Sequence, residues 1–531
     1  MKKLLINIGL FAAIVLLITS CKKELEEKFD NPNQAKDPSI PGYFTAILNS
    51  DRVRPSYWNV STFLLRQPAI YSQTAFYLRS NTMYQASDGY IDDYWKDFYR
   101  ANGNNSGPLP LFRLMEKTYA ALPETGKASN EIFMRASKVI LYDQLSRMVD
   151  LWGDVPFSEA GSLASANQIK NPKFDEQQQL YAICISGLDS AADFFSKTQT
   201  TAAFNKADIL LSGSVDKWRR YANSLKLRLL MRLSNVNETL AKTEVTKMLS
   251  NQAAYPLVDG AMSGTYSPQS SDILLRPLTD YVDNLNGAFN DWSNYPAPDF
   301  MLNKVMVPSG DPRIPYMFDK YGRTVDKVFI PNKTYRAMPI DFAGSQSDSL
   351  GRYAIWDSVT FLRNSKLPGV LVTAAEVNFL KAEAYERWGF GDAAETYRTA
   401  VNQSITFYYY LYSISGGAAN GPSIANPTSE ERSLFLSQPL VAYSGSKSDK
   451  LTKIWTQAWL DYGVLRADQA WSSYRRTNYP QLTFPTSSLQ GYQSPPVRLV
   501  YPSSERGYNL ENYQAVQAKD TRDTKIFWDV N

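Results

Sequence analysis

The 531-residue chain contains no histidine. That excludes every Ser-His-Asp or Cys-His mechanism and every imidazole metal site, leaving carboxylate, lysine or tyrosine chemistry, or binding without chemistry. Cysteine is almost as scarce, with Cys21 and Cys184 alone. Cys184 stands in the apolar helical pattern "LYAICISGL", so it is expected to be a buried, inert thiol. Apart from the extreme N-terminus, no stretch approaches 18 consecutive apolar residues, which leaves the body without a candidate membrane span. Charge of either sign is also in short supply: 56 basic against 52 acidic residues give a formal +4. A balance so close to neutral argues against a dedicated nucleic-acid binder.

The N-terminus carries the clearest local signal. Lys2 and Lys3 precede an apolar stretch that is broken at Asn7 and then runs from Ile8 to Ile18. A span needs roughly 20 apolar residues, so this one reads as the core of a signal peptide. The following Ile18-Thr19-Ser20-Cys21 resembles a bacterial lipobox, in which the cysteine becomes the first mature residue and is acylated. Cys21 is therefore the expected lipidation site, tethering the protein to a membrane without spanning it. Loss of residues 1–20 removes two lysines and no acid, leaving a formal +2. Residues 21–42, charged and then rich in Pro and Asn, are expected to form a flexible tether, and 43–531 a single body.

What is abundant is aromatic: 34 Tyr and 11 Trp. Most are expected in the core, but their apolar faces and polar edges also suit contact surfaces for sugars, peptides and proteins. Helical periodicity marks "EIFMRASKVILYDQLSRMVDLW", stopped by Gly153 and Pro156, and "DEQQQLYAICISGLDSAADFF". In "DKWRRYANSLKLRLLMRLS" the cations fall on two flanks, Arg219 and Lys226 against Lys217, Arg228 and Arg232. A DNA-reading helix would gather them on one exposed face, so this is expected to be a core helix with ion-paired flanks. From about Tyr255 to Leu350 the pattern turns to Pro, Gly, Ser and Tyr with short extended pieces. Helices return in "TAAEVNFLKAEAYERWGFGDAAETYRTAVNQ", whose small and aromatic residues about a glycine turn resemble a tetratricopeptide helix pair.

Eight pieces in order, "LWGDVPFSEA", "NPKFDEQQQLYAICISGLDSA", "WRRYANSLKLRLLMRLS", "DPRIPYMF", "AAEVNFLKAEAYERW", "IWTQAW", "AWSSYRRTNYPQL" and "PPVRLVYPSSERGYNLENY", lie behind the lipobox. Together they resemble the SusD/RagB family of nutrient-binding outer-membrane lipoproteins of the Bacteroidetes, in its SusD-like second branch. The resemblance implies a mainly α fold of four tetratricopeptide-like helix pairs with long irregular loops and minor β structure. It also implies a partner, a SusC-like TonB-dependent transporter barrel on which the lipoprotein sits as a lid. The location implied is the outer membrane, lipid-anchored and facing the cell exterior, where the acidic run Glu24 to Glu27 is similar to surface-export signals. Trp152, Gly153, Pro156, Arg475 and Arg476, within the shared pieces, are expected to shape the fold.

Ligand contacts are expected instead from aromatic loops outside those pieces: Tyr77, Asn81, Tyr84, Tyr90 and Trp95 in one segment, Trp292 and Tyr295 in another. Stacking aromatics beside hydrogen-bonding Asn and Asp fit an oligosaccharide, and an oligopeptide is the alternative ligand. A surface glycosidase using two carboxylates and a pure protein-interaction scaffold are further readings; no catalytic motif is present. No cofactor and no metal site are expected, since the acidic Asp88, Asp92 and Asp93 lack a calcium-loop pattern.

Overall fold

A computed structural model of the chain describes residues 39–76, 82–99, 107–162, 170–261, 265–277, 285–289, 296–341, 350–416, 421 and 423–531. Cys21 and nearly all of the expected tether lie outside them. The body begins with helix α1, Ile40–Leu48, three residues ahead of the expected Tyr43; the Ser39 hydroxyl caps it by accepting from the Gly42 N–H. The principal helices that follow are α2 (Asp88–Tyr99), α3 (Pro108–Ala120), α4 (Glu124–Trp152), α5 (Gln177–Lys197) and α6 (Val215–Arg232). Next come α7 (Glu238–Ser250), α8 (Ala374–Trp388), α9 (Ala393–Ile414), α10 (Lys447–Tyr462) and α11 (Ala467–Thr477). They pack as pairs, α3 with α4, α5 with α6, α8 with α9 and α10 with α11. Contacts of α4 with α5, α6 with α8 and α8 with α10 join the pairs into one frame.

The helices end where backbone chemistry demands. Gly153 takes φ +81° and donates its N–H to the Val149 carbonyl, closing α4. A side chain there would be strained by that φ and would press on Gln177 and Arg498. Gly389, at φ +70°, ends α8 in the same way, and the Asp392 carboxylate then caps α9 through the Glu395 N–H. Cys184 is buried in α5, and burial pushes its thiol pKa up.

Between helices the frame is stapled by buried charge. Arg228 of α6 donates to both oxygens of Glu376 in α8, at 2.6 and 2.9 Å, and to Asp143 of α4 at 3.1 Å. Arg466 also bonds Glu376. Arg147 bridges Asp143 and Asp468. Arg476 of α11 holds Glu383 of α8 through two bonds of 2.6 and 2.7 Å. Lys226 pairs with Asp189 and Glu244. Lys226 on one flank of α6 and Arg228 and Arg232 on the other are thus paired with carboxylates, as expected of a core helix. Arg219 instead donates to the Ala253 and Ala254 carbonyls at the surface, and Lys217 forms no ion pair among the described residues.

The long excursion before α8 supplies the only strands among the described residues. β1 (Ile273–Leu275) pairs with β6 (Gly369–Val372), β2 (Phe318–Asp319) with β5 (Ile355–Trp356), and β3 (Gly322–Val325) with β4 (Val328–Pro331), all antiparallel. The C-terminal segment returns across the frame: Leu499 N–H donates to the Leu151 carbonyl, Trp528 Nε1 to Asp150 of α4, and Phe527 N–H to Gln177 of α5.

Candidate functional site

The segment "RPSYWNVSTFLL" starts a short helix at Tyr57–Asn59, capped by the Ser56 hydroxyl, which passes directly into a π-helical turn at Val60–Leu64. The Ser61 and Thr62 hydroxyls donate to the Trp58 carbonyl and fix that junction. Val60, Phe63 and Leu64 are driven inward, leaving Tyr57 and Trp58 on the surface, each 40% exposed. Helix α2 meets this turn. It buries Ile91, Tyr94, Trp95 and Phe98 and leaves Tyr90 half-buried at its first turn.

The two segments touch through aromatic rings at two levels. At the surface, Trp58 meets Tyr90 edge-to-face with centroids 5.8 Å apart and meets Tyr57 at 6.4 Å. Beneath, Phe63 stacks on Tyr94 at 3.8 Å with planes only 7° apart, and both lie against Trp152. Trp95 abuts Trp152 edge-on at 5.2 Å, and the Arg52 guanidinium covers Tyr94 at 3.9 Å. A surface arc of three aromatics therefore stands on a buried aromatic column that reaches the end of α4. Its rings are held by packing before any ligand arrives, the condition for stacking at low entropic cost.

The residues expected from sequence divide sharply. Tyr90 stands in this arc. Tyr84 is buried, with its hydroxyl donating to the Pro485 carbonyl at 2.9 Å. Trp95 is 1% exposed and donates its indole N–H to Glu505 at 3.0 Å, while burial raises the Glu505 carboxyl pKa. Both are core side chains with no ring face open to a ligand. Tyr77, Asn81, Trp292 and Tyr295 lie outside the described residues. The chain flanking them does converge: Phe76 packs with Met338 and Tyr353, and Ala297 N–H donates to the Ala354 carbonyl at 2.7 Å. Tyr57 and Trp58 were not anticipated; the signal available was two adjacent aromatics opening a helix just after a proline and a serine cap.

Of Asp88, Asp92 and Asp93 beside the arc, two are engaged by the protein. Asp92 binds Lys96 and Ser504, and Asp88 meets Arg506 at 3.4 Å. Among the described residues, no cluster of three or more acidic or cysteine side chains is arranged to hold a metal ion, and no helix is long and apolar enough to cross a membrane. The fold-shaping residues pack as such: Trp152 donates to the Val500 carbonyl, and Arg475 donates to the Asp150 and Val497 carbonyls between the rings of Trp471 and Trp528.

A family model described as "Starch-binding associating with outer membrane" matches residues 47–502. No curated protein matches the chain. Among solved structures, a chitin-binding protein is 23% identical with a TM-score of 0.72, covering 93% of this chain and all of its own. A chitin-binding SusD homologue from Flavobacterium johnsoniae is also 23% identical, with a TM-score of 0.65 over 93% of this chain and 99% of that one. A SusD homologue from Bacteroides vulgatus is 21% identical, with a TM-score of 0.68 over 93% and 97%. At such identities the likeness establishes the shared fold.

Proposed function

The chain belongs to the SusD-like family associated with the outer membrane, and from that premise we propose that it captures an oligosaccharide outside the cell and passes it to a TonB-dependent transporter barrel. The observation that carries the capture step is the exposed arc of Tyr57, Trp58 and Tyr90 on its buried aromatic column. Sugar rings present apolar C–H faces that stack on such rings, while their hydroxyls stay hydrated or bond nearby polar groups. Two structural neighbours described as chitin-binding support a glycan over a peptide. Acylation at Cys21 holds the body at the membrane, and the SusC-like barrel is the partner that the family resemblance implies.

Binding is the whole of the proposed activity. A retaining glycosidase needs two free carboxyl groups about 5 Å apart. Of Asp88, Asp92 and Asp93 beside the arc, Asp92 is bound by Lys96 and Ser504 and Asp88 meets Arg506, which leaves Asp93 alone without an ion pair among the three. The test is calorimetry or affinity electrophoresis of the mature chain against neutral oligosaccharides of N-acetylglucosamine and of glucose, with an oligopeptide panel alongside. Glycan affinity that Trp58→Ala weakens is the expected result. Peptide binding alone would reassign the ligand, and sustained release of reducing ends would overturn the pure-binding reading. Copurification of a large barrel with the tagged, acylated protein tests the partner.

A further inference from the structure

The hairpin β3–β4 and the chain that follows it carry a second surface. Residues 320–336 hold five basic residues, Lys320, Arg323, Lys327, Lys333 and Arg336, against the single acid Asp326. That local net of +4 equals the formal charge of the entire chain. Arg323, Lys333 and Arg336, joined by Arg352, line one depression of about 490 Å³ whose remaining wall includes Ile330 and Pro331. Among the described residues, none of these four cations forms an ion pair, whereas Arg147, Arg228, Arg466 and Arg476 of the frame are tied to carboxylates.

The depression is built rather than incidental. The register pairs Arg323 with Ile330 across the hairpin, so cation and apolar wall share one of its faces. Asn332 pins the hairpin's foot, its amide donating to the Lys320 carbonyl at 2.8 Å and to the Gly351 carbonyl at 2.9 Å, next to Arg352. Arg336 lies over the Tyr353 ring at 4.9 Å, which orients its guanidinium. Four like charges around one hollow repel one another, and an oxyanion entering it relieves that repulsion while accepting charge-assisted bonds from guanidinium forks.

We propose that this depression binds the sulfate or carboxylate group of an acidic oligosaccharide, the sugar ring lying against Ile330 and Pro331. The inference rests on the glycan-capture reading and adds to it a ligand class, an anionic glycan held by charge at one place and by aromatic stacking at another. A hollow of several hundred Å³ suits a small ligand; the hairpin tip beside it exposes Val325, Val328 and Phe329, which makes a lipid surface the competing occupant.

The test measures binding of a sulfated, a uronate-containing and a neutral oligosaccharide to the full mature chain, at low and high salt, in wild type and in Arg323→Ala/Arg352→Ala. Both substituted residues are exposed, so folding is unaffected and an unchanged melting temperature verifies it. Expected is acidic-glycan binding that salt weakens and that the double variant lowers roughly ten-fold or more, about 1.4 kcal/mol, while any neutral-glycan binding is unchanged. Neutral and acidic glycans bound equally by both proteins would overturn the inference and leave glycan capture standing. Failure of every glycan would overturn both. Retention of wild type but not the double variant on phosphatidylglycerol vesicles, without acidic-glycan binding, would make the patch a membrane contact and overturn it as well.

Discussion

Trp58 and Trp95 share a side chain and differ in everything around it. Trp58 is 40% exposed and touches only the rings of Tyr57 and Tyr90 among its aromatic neighbours. We therefore expect Trp58→Ala to weaken glycan binding roughly ten-fold, within the range of one stacked ring, and to leave the melting temperature nearly unchanged. Trp95→Ala opens a large cavity in the column and leaves Glu505 without its indole donor, so denaturant unfolding should show a loss of about 3–5 kcal/mol. Sequence composition cannot separate the two. What buries Trp95 and Tyr84 are Glu505 and Pro485, which arrive 410 and 401 residues later in the chain. Titration at this scale is as specific. In a chain without histidine, Asp272 and Asp357 are pushed up to about 8 and about 7, burial being the main cause. A carboxyl pKa raised by folding stabilises the native state at low pH, and that stability is lost as pH rises through the folded value. Thermal stability should therefore fall from about pH 5 to about pH 8.5. Asp272→Asn, which keeps an acceptor for the Ala374 N–H, should flatten part of that decline.

Among the elements, the helices were legible and their ionic seams only half so. The 3.6-residue period marks α4, α5, α6, α8 and α9, and the glycines at 153 and 389 mark their ends, because these signals are local. The two-sided cations of α6 announce buried pairing, yet the partners of Arg228 stand 148 and 85 residues away, in α8 and α4. No periodicity encodes such a pairing. Glu376 is the hub: burial opposes its charge, but Arg228 and Arg466 outweigh burial and hold its pKa down to about 2. Its contribution is in place above the unfolded carboxyl value and is lost as pH falls toward about 2, the reverse of Asp272. Glu376→Gln leaves two guanidinium groups buried with one carboxylate fewer between them and should cost about 3–5 kcal/mol, measured by urea unfolding. The binding segments were less legible for a related reason. "SYWNVSTFLL" reads as one mixed apolar run, and only the π-helical turn at Val60–Leu64 decides that Phe63 faces inward and Trp58 outward.

For the whole molecule, position is expected to be as important as shape. Cys21→Ser removes the proposed acyl site, and fractionation should then find the protein released from the membrane with its glycan affinity unchanged, since the arc lies within the body. The way that body is closed has a further consequence, a kinetic one. Each helix pair is made of near neighbours in sequence, yet the body that holds the aromatic column is closed by bonds spanning great lengths of chain: Ser72 to Trp459 across 387 residues, Asp150 to Trp528 across 378, and Trp95 to Glu505 across 410. Folding slows as contacts become less local, and chains of this size pass through partly assembled states. Refolding from denaturant should accordingly recover helical circular dichroism well before the near-ultraviolet signal of the packed tryptophans. During that interval Trp95 and Trp152 face water, so the chain is most prone to aggregate when its helices are already formed and its column is still open.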